Sequence, residues 1–331
     1  MSSETLSDVE YIHRIVQLHL GGTVQLIVDR SPGFSGSRVY AVDVTMPTGQ
    51  LPCIVKLIPD WGNEEDQPHD EQATNRVYGS RATSFAAAYT LLHAHAIPLP
   101  QLYAACTPQP ALPYYCYVME RLPGEDVQTI RARLSGTSRV SLDHLVGRYL
   151  GAIHRITRSY YGWADLQVPY PQSWRDTFFT ALHIILERAC VHTAILQHRR
   201  RISEAIDQYA ASWIDPAQFV LSHGDGLQGM LVPHGSSWIL NGVIDIEDHC
   251  FTDPRFALAV YEVIMNHAPL EESFWEAYQE HSPLDDTYTH LRPLFQIYVL
   301  LDWLGNVPLT QGEEINKLTH QIVLRCETTR P

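Results

Sequence analysis

The chain has 331 residues, of which 45% are hydrophobic and 18% charged, so it is long enough for two modest domains or one large core. This composition excludes a disordered protein. Because 37 Asp and Glu outnumber 23 Lys and Arg, the net charge is -14, which argues against a nucleic-acid surface and favours cationic or neutral partners.

The six cysteines lie far apart and form no C-x-x-C pair, so neither a zinc site nor a disulfide framework is indicated. The N-terminal segment has no basic start followed by an apolar run, and no apolar stretch approaches ~18 residues. The sequence therefore predicts reduced thiols, no membrane partner and a cytoplasmic location.

An amphipathic helix is predicted at the beginning of the chain. Apolar residues lie close to helical spacing over 6–20, behind Ser7 as a cap, and Gly21-Gly22 ends the pattern. Two short strands are predicted next, over 24–28 and 37–44. The turn-forming stretch between them contains three small residues, Gly33, Ser35 and Gly36.

A third predicted strand, over 53–58, is apolar except for Lys56, a residue type that is rarely buried without a partner. The acidic stretch 59–70 is predicted to be a solvated loop. An Ala- and Leu-rich helix over 82–96 stops before Ile97-Pro98, and two strands follow, the second over 114–119. Pro123-Gly124 then interrupts regular structure.

The rest of the chain has mainly helical patterns. Helices are predicted over 141–155, 173–198, 201–212, 254–266, 273–281 and 291–304. One β-hairpin, over 229–232 and 237–246, is expected to be their only interruption. The sequence thus predicts an α+β fold with a small β-rich N-lobe over 1–120 and a larger, mostly helical C-lobe over 121–331.

Three separate segments have the residues that phosphoryl transfer needs. Lys56 follows a glycine-containing turn, and a buried ammonium can hold phosphate oxygens. In the loop 221–232, a strand-like lead projects Asp225 from a rigid base, which suits a general base. In 242–248 an apolar strand ends in three acids, among them Asp245 and Glu247, and such oxygen ligands suit magnesium. Taken singly, each aspartate also fits a turn or a helix cap.

Together, these segments resemble the aminoglycoside phosphotransferase family, which includes choline and fructosamine kinases and has a two-lobed, protein-kinase-like fold. The resemblance spans roughly residues 25–265 and rests on four motifs in order: Tyr117-Val118-Met119-Glu120-Arg121-Leu122-Pro123-Gly124, His223-Gly224-Asp225, Val243-Ile244-Asp245-Ile246-Glu247 and Asp253-Pro254.

The resemblance implies ATP and magnesium as cofactors. Asp225 would orient or deprotonate the acceptor hydroxyl, with His223 supporting its loop. Asp245 would bind magnesium, helped by Glu247 or Gln228. Residues of the N-lobe and of the connection after it would bind the nucleotide. They are Lys56, Gly33, Ser35, Gly36 and the backbone groups of Glu120 and Leu122.

Two departures from the family pattern affect these expectations. The metal-binding asparagine expected five positions after Asp225 is replaced by Met230, whose thioether is a poor magnesium ligand. Gly226 and Leu227 replace the usual apolar residue and histidine. The helix over 82–96 also has no glutamate to pair with Lys56 near 85–89, which leaves Glu71, from another segment, as a candidate partner.

Three hypotheses therefore stay open. The first is a kinase for a hydroxylated small molecule such as a cationic antibiotic or metabolite. The second is a peptide Ser/Thr kinase of a ribosomal-peptide modification pathway, and the third is a pseudokinase that binds a nucleotide or metabolite without transfer. Acids that could hold an amine are Glu262, Glu271, Glu272, Glu276 and Asp302.

Overall fold

The computed structural model describes residues 7–30, 37–59, 69–77, 82–109, 114–235, 237–265, 269–284 and 286–327. A β-rich N-terminal part is followed by a mostly helical C-terminal part, which confirms the predicted α+β class. None of the helices in these ranges is long and apolar enough to cross a membrane.

The N-terminal part is a five-stranded antiparallel sheet with three helices. Its strand order is β1-β2-β3-β5-β4. The elements, in chain order, are α1 (Asp8–Leu20), β1 (Thr23–Asp29), β2 (Arg38–Met46), β3 (Gly49–Pro59), α2 (His69–Val77), α3 (Ser84–Ala94), β4 (Leu102–Cys106) and β5 (Tyr114–Glu120).

The predicted opening helix is confirmed, with caps at both ends. The Ser7 side chain accepts a hydrogen bond from the Glu10 backbone, and the Glu10 carboxylate accepts one from Ser7 in return, which forms a capping box. Gly21 ends the helix in the left-handed region, at φ 65°. The buried face, Tyr11, Ile12, Ile15 and Val16, packs on the sheet in a core of its own.

The C-terminal part contains nine helices in the described ranges and seven short strands. They are β6 (Glu125–Asp126), α4 (Val127–Arg133), α5 (Gly136–His154), β7 (Thr157–Arg158), β8 (Gly162–Trp163), α6 (Trp174–Ala189), α7 (Thr193–Leu196), α8 (Arg199–Ala211), β9 (Phe219–His223), β10 (Gly229–His234), β11 (Ser237–Val243), β12 (His249–Thr252), α9 (Pro254–Ile264), α10 (Glu272–Gln279), α11 (Tyr288–Gly305) and α12 (Gly312–Glu327).

The expectation that one hairpin alone interrupts these helices is wrong. β10 and β11 do form a hairpin, but β11 ends at Val243 instead of Ile246, and β6 joins it as a third strand. A second sheet has the order β7-β9-β12-β8. β7, β8 and β12 have two to four residues, too short to show a hydrophobic period, so the sequence pattern does not reveal them.

Several helix predictions also need correction. The helix predicted over 173–198 is divided into α6 and α7. Helices α2, α4 and α12 were not predicted, and α2 begins at His69, inside the stretch predicted to be a loop. The division of the chain into 1–120 and 121–331 stays a prediction, although the first sheet does end at Glu120.

The two faces of the first sheet belong to different cores. One face packs with α1, whereas residues from the other face, among them Ile58, Tyr117 and Met119, join the large core of the helical part. Tyr117 stacks on Phe85 of α3 at a ring-centroid distance of 3.9 Å. This shared packing fixes the sheet above the two motifs that end β9 and β11.

We expect His154 to make stability depend on pH. Burial lowers the pKa of His154 from 6.5 to about 3, and its Nδ1 lies 2.8 Å from the Tyr278 hydroxyl. Below pH 6.5 the unfolded chain binds a proton that the native protein does not bind until about pH 3. The free energy of unfolding therefore falls as the pH is lowered, by about 1.4 kcal/mol per pH unit for this residue.

Urea unfolding at pH 7.5 and 5.5 measures this effect. Between these two pH values, the free energy of unfolding should fall by about 1.4 kcal/mol less in His154→Leu than in the wild type. The control His13→Leu, at an exposed site on α1, should show the same fall as the wild type. Equal pH dependence in the wild type and His154→Leu would contradict the assignment.

Candidate active site

Lys56 joins the first sheet to the segment that follows β11. It lies in the middle of β3, opposite Val39 of β2 and Tyr117 of β5. Its Nζ donates to Asp245 Oδ1 at 2.8 Å and also contacts Glu247 Oε1. The side chains of Lys56 and Glu247 are 9% and 1% exposed, whereas that of Asp245 is 42% exposed. Lys56 thus has two carboxylate partners, both in the segment that follows β11.

The electrostatics of this cluster maintain the lysine charge. Burial alone would lower the pKa of Lys56, but the carboxylates of Glu247, Asp245 and Asp248 outweigh it and raise that pKa. Burial likewise opposes ionisation of Asp245, yet Lys56 lowers the pKa of that carboxyl below its usual value. For Glu247, burial dominates and raises the pKa to about 7. Asp245 is therefore the more strongly ionised of the two carboxylates.

Asp245 adopts a backbone conformation that is unusual for a side-chain-bearing residue. Its φ and ψ are 54° and 48°, in the left-handed region, and it starts a short 3-10 turn over Ile246–Asp248. Strained conformations of this kind cluster at functional sites. The turn directs Asp245 and Glu247 toward Lys56, and α3 packs against the same turn. α3 contains no acid, and Glu247 is a buried carboxylate that contacts Lys56.

His223 holds the loop after β9 in its conformation. Its Nδ1 accepts a hydrogen bond from the Asp225 backbone amide at 2.8 Å, which assigns the ring proton to Nε2 when the imidazole is neutral. Nε2 lies 3.7 Å from Asp248 Oδ2. The Gly224 amide donates to the Asp248 carbonyl at 3.2 Å. His223 and Asp248 thereby connect the Asp225 loop to the turn that carries Asp245, and Asp225 itself is exposed.

Two of the family departures have a packing explanation. Gly226 has a φ of +76°, and a Cβ added there would lie 2.1 Å from Tyr261 Cδ2, so only glycine fits beneath this ring. Leu227, which replaces the usual histidine, is 2% exposed and belongs to the main core. The loop is therefore held by apolar packing against α9.

Gln228 and Met230 occupy the segment where a metal ligand was expected. The Gln228 carbonyl accepts from the Ile244 amide at 3.0 Å, and its Nε2 donates to the Asp225 carbonyl at 3.4 Å. Met230 is half-buried on β10, opposite Asp126 of β6 and Gly242 of β11. The register shifts directly after Met230. No amide or carboxylate thus occupies the expected asparagine position.

The segment after β5 lies at the end of the first sheet. The Glu120 amide donates to the Gln101 carbonyl at 2.8 Å, so any contact of this residue with adenine has to come from its carbonyl. The Leu122 side chain approaches Gly242 of β11, where an added Cβ would lie 2.5 Å from Leu122 Cδ1. Gly33, Ser35 and Gly36 lie outside the described residues, as does the Glu71 side chain.

Three of the acids proposed to hold an amine have arginine partners. Glu262 accepts from Arg292 Nε at 2.6 Å, Glu271 lies 3.3 Å from Arg139, and Asp302 lies 3.9 Å from Arg188. Across the described ranges, no three His, Cys, Asp or Glu side chains are arranged to hold a metal ion by themselves. Side chains of these four types in the described ranges therefore do not by themselves complete a metal site at Asp245.

The interactions that bring these segments together were not predicted from the sequence. Lys56 and Glu247 are 191 positions apart, and no motif links them. The roles of Asp248 and Tyr261 were also missed. The signal for Asp248 was its place in the run of three acids, whereas the ring of Tyr261 beneath Gly226 left none.

The comparisons with known proteins agree with this geometry. A model of the phosphotransferase enzyme family matches residues 63–294, which is well over half of the chain. The chain belongs to the phosphotransferase enzyme family. No curated protein matches its sequence significantly.

Solved structures of other phosphotransferases have the same fold. A candidate fructosamine-3-kinase from Thermobifida fusca has a TM-score of 0.62 at 18% identity, over 95% of this chain and 98% of that one. A thermostable mutant of aminoglycoside phosphotransferase APH(4)-Ia, in a ternary complex with ADP and hygromycin B, has a TM-score of 0.63 at 13% identity, over 97% and 99%. These neighbours confirm the two-lobed, kinase-like fold.

Proposed function

We propose that this phosphotransferase transfers the γ-phosphoryl group of ATP to a hydroxyl of a small molecule. The observation that carries the proposal is the 2.8 Å contact between Lys56 Nζ and Asp245 Oδ1. This contact joins β3 of the first sheet to Asp245, which is 189 residues later in the chain and lies beside the loop that contains Asp225. Family membership and the ADP and hygromycin B bound by APH(4)-Ia support a nucleotide donor and a hydroxylated acceptor.

For the nucleotide, we propose Lys56 as the residue that holds the α and β phosphates. Its charge is maintained by carboxylates on one side, so the ammonium can donate to phosphate oxygens on the other. The Glu120 carbonyl and the Leu122 backbone are proposed to contact adenine. Gly33, Ser35 and Gly36, which lie outside the described residues, are proposed as further nucleotide-binding residues.

The residues present fit one magnesium ion better than two. Asp245 has an ionised, part-exposed carboxylate, and magnesium in such sites commonly takes one or two carboxylates together with phosphate oxygens and water. Glu247 is buried against Lys56, and its Oε2 has no hydrogen-bond partner in the described structure. We therefore propose Asp245 as the ligand, Glu247 as the partner of Lys56, and Gln228 as a weaker candidate ligand. When bound, the ion would neutralise phosphate charge.

Asp225 is proposed as the group that orients the acceptor and removes its proton. The hydroxyl oxygen forms a bond to the γ-phosphorus as the bond from that phosphorus to the leaving oxygen of ADP breaks, and the hydroxyl proton passes to the Asp225 carboxylate. His223 acts as a positioning residue, because it bonds the Asp225 backbone and not the side chain. Lys56 stabilises the charge that remains on the leaving phosphates.

One observation favours a second candidate, a pseudokinase that binds a nucleotide or metabolite without transfer. Met230 replaces the asparagine that would complete a metal site, and the thioether cannot substitute for it. No feature of the described residues favours a peptide substrate.

A cytoplasmic location is proposed as well, because all six cysteines are free thiols.

Met230→Asn separates the two candidates. The amide oxygen should add a magnesium ligand, so the variant is expected to need about tenfold less magnesium for half-maximal ATP turnover if the wild type is an enzyme with one weakly held ion. Colorimetric phosphate release over a magnesium series measures this change. The control is Met46→Asn, because Met46 is half-buried like Met230, whereas Met119 is in the core. Activity in Met230→Asn alone would indicate a pseudokinase.

The direct test is phosphoryl transfer to a panel of hydroxylated small molecules, followed by phosphorus NMR. The panel should include sugar amines, amino alcohols and hydroxylated acids, so that neutral, cationic and anionic acceptors are compared. A new phosphate-ester signal that requires both ATP and one acceptor is expected. An inert panel, with ATP bound normally, would contradict the small-molecule kinase and leave the pseudokinase.

A further inference from the structure

Two cysteines lie opposite each other on neighbouring strands of the first sheet. Cys106 is the last residue of β4, and its partner in the antiparallel register is Cys116 of β5. The other four cysteines are on β3, directly after α6, on β12 and on α12. Cys106 and Cys116 are therefore the pair of thiols that the register brings together.

This register places the two residues at a distance that a disulfide can span. Directly opposed residues of an antiparallel pair have Cα atoms about 4.5 Å or about 5.5 Å apart, depending on whether they exchange backbone hydrogen bonds. Disulfides join Cα atoms that are about 4.4 to 6.8 Å apart, so either arrangement permits one. Opposed side chains also lie on the same face of the sheet, and the Cys106 and Cys116 thiols are hydrogen-bonded to each other.

The two thiols differ in exposure. Cys116 is buried in the core that the sheet shares with α1, whereas Cys106 is half-buried at its edge, so a small oxidant can reach it. His19, an exposed residue near the end of α1, has its Nε2 3.4 Å from Cys106 Sγ. Residues 110–113, in the connection between the strands, lie outside the described ranges, but their sequence, Pro-Ala-Leu-Pro, has no charged or thiol side chain.

The hydrogen bond between the thiols gives them different reactivities. Together with His19 it outweighs burial and lowers the pKa of the Cys106 thiol below its usual value. The same hydrogen bond and burial raise the pKa of Cys116. The thiolate is the form that attacks an oxidant, so Cys106 is suited to react first and Cys116 to remain protonated until it meets the product.

Metal binding is the other chemistry that two thiols and an imidazole can support. Across the parts of the chain that the structure describes, however, no three His, Cys, Asp or Glu side chains are arranged to hold a metal ion. The arrangement of Cys106, Cys116 and His19 therefore favours oxidation.

We propose that Cys106 and Cys116 form a reversible disulfide when a hydroperoxide oxidises Cys106. The Cys106 sulfur attacks one oxygen of hydrogen peroxide: an S–O bond forms, the O–O bond breaks, and the leaving oxygen departs as water with the thiol proton. The Cys116 sulfur then displaces the hydroxyl of the resulting sulfenic acid, and a second water leaves with the Cys116 proton. Two thiols thereby lose two electrons, which reduce one peroxide to two waters.

The disulfide is expected to be reversible, because the half-buried Cys106 sulfur leaves it open to attack by a dithiol. The site is separate from the proposed transfer of phosphate. Cys116 belongs to the core on the α1 face of the sheet, whereas its neighbour Tyr117, which pairs with Lys56, belongs to the core on the other face.

Stepwise addition of hydrogen peroxide to the full chain at pH 7.5 tests the proposal. Thiol titration of the denatured product should show the loss of two of the six thiols, and dithiothreitol should restore both. Chymotrypsin cleaves after Tyr114 and Tyr115, between the two cysteines. The mass spectrum of an unreduced digest should therefore contain a Cys106 peptide joined to a Cys116 peptide.

Three variants test the order of the two steps. Cys106→Ser should form no disulfide, whereas Cys116→Ser should accumulate a sulfenic acid at Cys106 that dimedone traps. Cys190→Ser is the control, because Cys190 is also half-buried but follows a helix and faces no strand partner, and it should form the disulfide as the wild type does.

The proposal would be overturned by any of four results. They are the absence of a disulfide in the peroxide-treated wild type, a linkage of Cys106 or Cys116 to another cysteine or to a second copy of the chain, a disulfide that dithiothreitol does not reduce, and a trapped sulfenic acid at Cys116 in Cys106→Ser.

Discussion

Replacing Asp225 by asparagine is expected to lower kcat for phosphoryl transfer by about 10²- to 10⁴-fold, the usual contribution of a positioned general base. The change is isosteric, and the Asp225 amide that holds the loop to His223 Nδ1 is a backbone group, so the loop should keep its conformation. Because the carboxylate is exposed and acts on the acceptor, the affinity for ATP should stay within about twofold. Single-turnover transfer and equilibrium ATP binding measure the two quantities.

The matched control for this variant is Asp207→Asn, at an exposed position on α8 that is not part of the site. It should leave kcat and ATP affinity unchanged. If Asp225→Asn retained more than about a tenth of the wild-type kcat, another group would have to accept the proton.

Replacing Lys56 by methionine is expected to lower the free energy of unfolding by about 3 kcal/mol at pH 8, because its carboxylate partners, against the effect of burial, raise the pKa of Lys56 and so stabilise the charged form in the native protein. That pH lies above the Glu247 pKa of about 7, so the wild-type carboxylate is ionised there. The variant would leave the buried Glu247 carboxylate without its ammonium partner, and removing one partner of a buried ion pair is costly. Urea unfolding measures the loss.

An exposed ion pair provides the comparison. Glu204 lies 2.8 Å from Arg200, with side chains 57% and 92% exposed, and Glu204→Gln should cost less than about 1 kcal/mol. If Lys56→Met combined with Glu247→Gln changed the free energy of unfolding by as much as the two single changes added together, the pair would not be coupled as the structure implies. A loss in Lys56→Met no larger than that in Glu204→Gln would also contradict the contribution of the buried pair.

The sequence predicted those parts of the fold that depend on local patterns. Both ends of α1 are marked by residues next to it in the chain, Ser7 as the N-cap and Gly21 as the C-cap, and its apolar residues have helical spacing. The helix could therefore be placed without tertiary information. The same holds for β3, where Lys56 interrupts an apolar run. The family motifs around Asp225 and Asp245 then gave the fold class, because their order and spacing are specific.

The parts that could not be predicted depend on contacts between distant segments. The Lys56–Glu247 contact requires β3 and the turn after β11 to meet, and no local signal reports that. The four-stranded sheet that pairs His249 with His223 consists of strands too short to show a period. By contrast, α12 did leave a signal, since Ile315, Leu318 and Ile322 recur at helical spacing and are buried.

The thermal unfolding midpoint with ATP, in the presence and absence of magnesium, tests whether Lys56 and Asp245 form a nucleotide site. A ligand that binds the native protein raises its stability by RT ln(1 + [L]/Kd), or about 2.7 kcal/mol at 100 times Kd. We expect the midpoint to rise with ATP and to rise further when magnesium is present, and we expect Asp245→Asn to lose the magnesium-dependent part of the rise. No rise with ATP, with or without magnesium, would contradict a nucleotide site at Lys56 and Asp245.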